Sequence, residues 1–148
     1  MKSKFIPYYL GIAYETAKLS SANRAKVGAI IVKDDRIISI GYNGMPSGWD
    51  NECEEVVPPN EWAEFEQLKT KPEVLHAETN AIAKVAQSTE SSKGATLFCT
   101  HLPCIECAKL IHQAGISNVY YDIEYQAAKG SGKQFLEDSN IEVNKCQV

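Results

Sequence analysis

The sequence predicts an α/β fold with helices on both faces of a mixed sheet, a three-layer α/β/α arrangement. Three observations carry it: helical periodicity at the start, a β-branched hairpin after it, and alternating helix and strand in the second half. From Phe5 to Leu19 apolar residues recur at helical spacing (Ile6, Tyr9, Leu10, Ala13, Tyr14, Ala17), and Ser20, Ser21 and Asn23 end the helix. Val27 to Val32 and Ile37 to Tyr42 are apolar runs joined by a turn at Asp34-Asp35, which reads as a hairpin at the sheet core. Helical spacing resumes from His76 to Ala86. Thr96 to Thr100 reads as a strand, Cys104 to Ala114 as a helix closed by Gly115, and Asn118 to Tyr121 as a strand. Lys133 to Asp138 is a further helix and Ile141 to Val143 a last strand.

An insert over residues 44–75 interrupts this order. It holds four of the six prolines and the acids Asp50, Glu52, Glu54, Glu55, Glu61, Glu64 and Glu66, with no basic residue before Lys69. The expectation is a long loop with one short helix near Glu61 to Leu68. So long a loop is either functional or interfacial, or a solvated acidic insert. Its aromatic residues Trp49, Trp62 and Phe65 either line an oligomer contact or pack the loop onto the domain.

A chain of 148 residues is one domain, 1–148, and 44% hydrophobic residues suffice for an ordinary core. The net charge is -4, and only two of the fifteen basic residues, Arg24 and Arg36, are arginine. Nucleic-acid interfaces favour arginine and a basic surface, so no nucleic-acid partner is expected. The N-terminal segment has no apolar run long enough for a membrane span and no signal-peptide pattern, so a soluble cytoplasmic protein without a membrane partner is expected. The five cysteines are odd in number and irregular in spacing; Cys104 and Cys107 form a CxxC, which in a reducing compartment reads as metal-binding or redox-active.

Two segments carry chemistry: His76-Ala77-Glu78 opening one helix, and Pro103-Cys104-Ile105-Glu106-Cys107 opening another. Thiols three residues apart project from one face of a helical turn, and a helix N-terminus favours the thiolates that bind zinc. One His and two Cys leave the fourth tetrahedral position for water, as in a catalytic zinc site. Glu78, two residues beyond His76, is placed to shuttle a proton without ligating the metal.

At these residues the chain resembles the zinc-dependent cytidine and deoxycytidylate deaminase superfamily. Four blocks carry the resemblance: Val27-Gly28-Ala29-Ile30-Ile31-Val32, Gly41-Tyr42-Asn43-Gly44-Met45-Pro46, Leu75 to Ile82 and Thr100 to Lys109. The tRNA adenosine deaminases are more distant, since Leu102 and Ile105-Glu106 stand where they tend to have Glu before Pro-Cys and Met inside the CxxC. The resemblance implies a cytidine-deaminase-like fold with a five-stranded mixed sheet. It implies hydrolysis of dCMP to dUMP and ammonia, which supplies precursor for thymidylate synthesis, and usually a homohexamer. The ligands would be His76, Cys104 and Cys107, the catalytic group Glu78, and the substrate-binding residues Asn43, Ala77, Tyr125, Arg24 and Lys26. Arg24 and Lys26 read otherwise as solvated surface. The resemblance also implies activation by dCTP with magnesium and inhibition by dTTP, with Gly41, Tyr42, Asn43 and Gly44 beside the regulatory nucleotide.

One zinc per chain is expected, because Ser20 and Ser21 stand where some phage members would place ligands of a second, structural zinc. Cys53 is a further ligand or a plain thiol, Cys99 is packed core, Cys146 is a free tail thiol, and His101 and His112 have surface or interface roles. The rival readings are a cytidine, deoxycytidine, dCTP or nucleic-acid deaminase and, from a different class, a non-catalytic zinc-stabilised nucleotide-binding module.

Overall fold

A computed structural model describes residues 1–124 and 130–148. Helix α1 (Phe5–Ala17) leads into β1 (Gly28–Lys33) and β2 (Arg36–Tyr42). The insert contributes β3 (Glu54–Val57) and β4 (Gln67–Thr70). Then follow α2 (Ala77–Ala86), β5 (Thr96–His101), α3 (Ile105–Gln113), β6 (Asn118–Ile123), α4 (Lys133–Asp138) and β7 (Glu142–Lys145).

The main sheet has the order β2-β1-β5-β6-β7, antiparallel from β2 to β5 and parallel from β5 to β7. Strands β1 and β5 are central and buried on both faces, which is why Ala29 to Val32 and Leu97 to Cys99 read as unbroken apolar runs. Asp34 and Asp35 both take positive φ, the conformation a tight two-residue hairpin turn needs to match the strand twist. One face of the sheet packs on α1 through Leu10, Ala13, Ile30 and Phe98. The other packs on α2, α3 and α4 through Ala77, Ala81, Leu97, Ala108, Ile111 and Leu136. These are the three layers expected from the periodicity.

Two glycines let helices sit directly on strands. A Cβ on Gly28 would lie 2.1 Å from the Ala13 carbonyl oxygen of α1, and one on Gly41 would lie 2.2 Å from the Ala77 carbonyl oxygen of α2. Gly41 thus brings the start of α2 down onto β2 and fixes the height at which His76 and Glu78 enter the site.

The insert corrects one expectation. No helix forms at Glu61 to Leu68; β3 and β4 pair antiparallel instead, with Glu54 opposite Thr70 and Val57 opposite Gln67. Pro58-Pro59 ends β3, and Glu61, Glu64 and Glu66 fall in the connecting segment, where they stay in water. Trp62 and Phe65 are 88% and 74% exposed, so they do not pack this segment onto the domain.

Candidate active site

The N-termini of α2 and α3 meet beyond the end of β5. His76 is the N-cap residue of α2 and Cys104 that of α3, both in extended conformation, and neither side chain caps its helix. Histidine and cysteine are poor choices for a cap, where Ser, Thr, Asp or Asn satisfies the free N–H groups. Their side chains turn towards each other instead. His76 Nδ1 lies 3.2 Å from Cys107 Sγ and 3.7 Å from Cys104 Sγ, and all three donor atoms fall within 4.8 Å of one another. Tetrahedral zinc with ordinary Zn–N and Zn–S bonds separates its ligands by about 3.5–3.8 Å, so this triangle fits the ion. The flanking chain is fixed as well: Ile105 N–H donates to the Gly130 carbonyl at 3.1 Å and Gly132 N–H to the Pro103 carbonyl at 2.9 Å.

The two thiols differ electrostatically. A hydrogen bond from Cys107, together with the His76 ring, pushes Cys104 down to about 3 against the penalty of burial. Cys107 is raised, because its proton is held against the Cys104 thiolate and because it is buried near Glu78. Zinc uptake must expel the Cys107 proton. Apparent zinc affinity is therefore expected to fall about tenfold per pH unit on acidification for each proton released, checked by chelator competition across pH. A pH-independent affinity would contradict this proton inventory.

Glu78 stands in the first turn of α2, 5% exposed. Burial raises its pKa, partly opposed by the His76 charge and a hydrogen bond from the Cys107 thiol. A carboxyl held above the usual range can both take and return a proton. Cys99 lies in the packed core, as expected, but not in apolar surroundings alone: burial and the neighbouring Glu78 carboxylate push its thiol pKa well up, so it stays protonated.

One cavity joins His76, Cys104 and Glu78 to Ala77, Asn43 and Arg24, and its wall also includes Cys53, Glu54, Thr70 and His101. Asn43 uses both ends of its amide on the loop before β1: Oδ1 accepts from Val27 N–H at 2.9 Å, and Nδ2 donates to the Ala25 carbonyl at 2.8 Å. Lys26 is exposed, does not line the cavity, and its ammonium donates to the Ser20 carbonyl at 2.9 Å. Tyr125 lies outside the described residues. Gly41 and Tyr42 end strand β2 rather than forming a turn; the Tyr42 carbonyl accepts from Asn80 Nδ2 at 2.8 Å, and Gly44 exchanges backbone hydrogen bonds with Leu75.

His101 corrects the surface reading given to it, for it lines the cavity, and burial lowers its pKa. Its Nδ1 lies 2.8 Å from the Thr100 hydroxyl, which also accepts from Gly28 N–H. Cys53 is buried beside Ala22 and Val74, its sulfur 3.7 Å from the Ser21 hydroxyl, and it stands apart from the metal-binding triangle. No sequence signal marked Glu54 or Thr70.

Fold and site together define a class: a three-layer α/β domain whose paired helix ends present one imidazole, two thiols and a buried carboxyl, a set suited to metal-assisted hydrolysis. Residues 3–123 match the family model described as the cytidine and deoxycytidylate deaminase zinc-binding region, and the chain belongs to that family. It is 41% identical over 116 residues to the deoxycytidylate deaminase of Homo sapiens, a match covering 77% of this chain and 62% of that one. It is 37% identical over 150 residues to a probable deoxycytidylate deaminase of Drosophila melanogaster, covering 93% and 70%. Among solved structures, the dCMP deaminase of cyanophage S-TIM5 in complex with dCMP and dUMP superimposes with a TM-score of 0.85 at 42% identity, covering 99% of both chains.

Proposed function

We propose that this chain is a zinc-dependent deaminase that hydrolyses dCMP to dUMP and ammonia. The observation that carries the reading is the cavity whose wall brings His76 and Cys104 of the metal-binding triangle and the buried Glu78 carboxyl together with Arg24, a reactive centre and a phosphate partner in one cavity. The relatives named deoxycytidylate deaminase, and the structural neighbour that binds dCMP and dUMP, support it.

His76 Nδ1, Cys104 Sγ and Cys107 Sγ would hold the zinc, and the chemistry it supplies there is the acidification of water. Glu78 takes the proton of the attacking water as oxygen adds to the amino-bearing ring carbon, and delivers it to the adjacent ring nitrogen. Glu78 then carries the hydroxyl proton to the amino group as the C–N bond breaks. The carbonyl of dUMP forms and ammonia leaves, so the sum is one water in and one ammonia out. Arg24 is the cation for the monophosphate, and Asn43 stiffens the loop that presents it.

The finer parts of the proposal rest on the sequence resemblance: activation by dCTP with magnesium, inhibition by dTTP beside Gly41 to Gly44, a cytoplasmic homohexamer, and dUMP passed on towards dTTP. Ammonia release from dCMP, dCTP, deoxycytidine and single-stranded DNA, each with and without dCTP or dTTP, tests the assignment. We expect kcat/KM for dCMP to exceed the others by at least about tenfold. Faster turnover of another substrate would overturn the choice of dCMP, and ammonia from none would favour a binding module.

A further inference from the structure

We propose that Glu54 and Thr70, paired at the base of the β3–β4 hairpin, are positioning residues that hold Arg24 at the cavity wall for a nucleotide's phosphate. This rests on the reading of the cavity as a nucleotide site.

Glu54 and Thr70 are direct partners across the two strands, and both line the cavity with His76 and Glu78. Glu54 Oε1 accepts from the backbone N–H groups of Asn23 at 2.8 Å and Arg24 at 3.1 Å, which fixes the main chain from which the arginine departs. Arg24 Nη1 donates to the Thr70 hydroxyl at 3.1 Å, which fixes where the side chain ends. The hairpin base is itself tied down, since Lys71 N–H donates to the Cys53 carbonyl at 2.8 Å.

The choice of partner decides what Arg24 can do. Arg36 is paired with the Glu90 carboxylate at 3.2 Å, whereas the Arg24 guanidinium meets a neutral hydroxyl and forms no ion pair among the described residues. A hydroxyl orients a guanidinium without cancelling its charge and occupies one of five N–H donors, leaving a fork for phosphate oxygens. Glu54 directs its Oε1 to amide groups on the main chain. The insert thus contributes half of the phosphate end of the site from a two-stranded sheet separate from the five-stranded sheet on which α2 and α3 pack.

The test uses the zinc-loaded full chain and compares dCMP with deoxycytidine, which lacks the phosphate, in kinetics and in calorimetric binding. Thr70→Val is expected to raise KM and Kd for dCMP about tenfold with kcat nearly unchanged, and to leave deoxycytidine unaffected. Glu54→Ala should do the same, while Thr70→Ser and Glu54→Gln, which keep an accepting oxygen, should stay near the wild type. Equal losses on both substrates, or no change, would overturn the inference. So would a wild-type chain that binds dCMP no better than deoxycytidine. A wild type that binds dCMP tightly but releases no ammonia refutes deamination alone, and the binding comparison still decides the role of Glu54 and Thr70.

Discussion

Glu78→Gln is expected to lower kcat for ammonia release by about 10²–10⁴ while zinc content and thermal unfolding stay close to wild type. The side chain is buried in the first turn of α2 beside the metal-binding triangle, yet it is not one of the three donors. The amide fills the same volume, so the core around Ala77 and Ala81 has no reason to rearrange. What it lacks is a site for the proton that must travel from water to ring nitrogen and then to the leaving amine. Steady-state kinetics paired with metal analysis checks this. Full turnover by a zinc-replete Glu78→Gln variant would remove the shuttle from the mechanism.

Cys104→Ala is expected to lose both metal and activity, because three donors become two and because the deleted thiol is the one already poised as a thiolate. The loss should exceed that of Glu78→Gln, with turnover falling to background and zinc below about a tenth of one equivalent under dialysis. Zinc retained at one equivalent would mean that the ligand set is not the one described. The two variants separate the roles: one keeps the ion and loses the proton path, the other loses the ion.

The main sheet was legible because its central strands β1 and β5 are buried on both faces and read as apolar runs, β6 is buried at alternate positions, and its helices are buried on one face, so the sequence pattern reports them directly. β3 and β4 were not. Glu55, Val56 and the stretch from Gln67 to Lys69 are exposed, and a strand with both faces in water leaves no alternation to read. The metal-binding triangle of His76, Cys104 and Cys107 stood out because its members fall in two short motifs and the residue types are chemically rare. Arg24 was visible as one of only two arginines. Its supports were hidden, since Glu54 and Thr70 reach it from 30 and 46 residues away and look like two more polar residues in an acidic stretch. His101 was missed for the same reason: the strand pattern places it at the end of β5, but only the packing of α2 and the loop before β1 makes that end a wall of the cavity.

The main sheet changes character at β5, from an antiparallel hairpin half on one side to a parallel crossover half on the other. His76 belongs to the helix lying over the hairpin half, and the two thiols belong to the helix that opens the crossover half. An ion gripped by all three therefore fastens two differently built regions across their seam. Withdrawing it removes a rivet of the architecture as well as a reagent, so chelation should first loosen amide protons in the opening turns of α2 and α3.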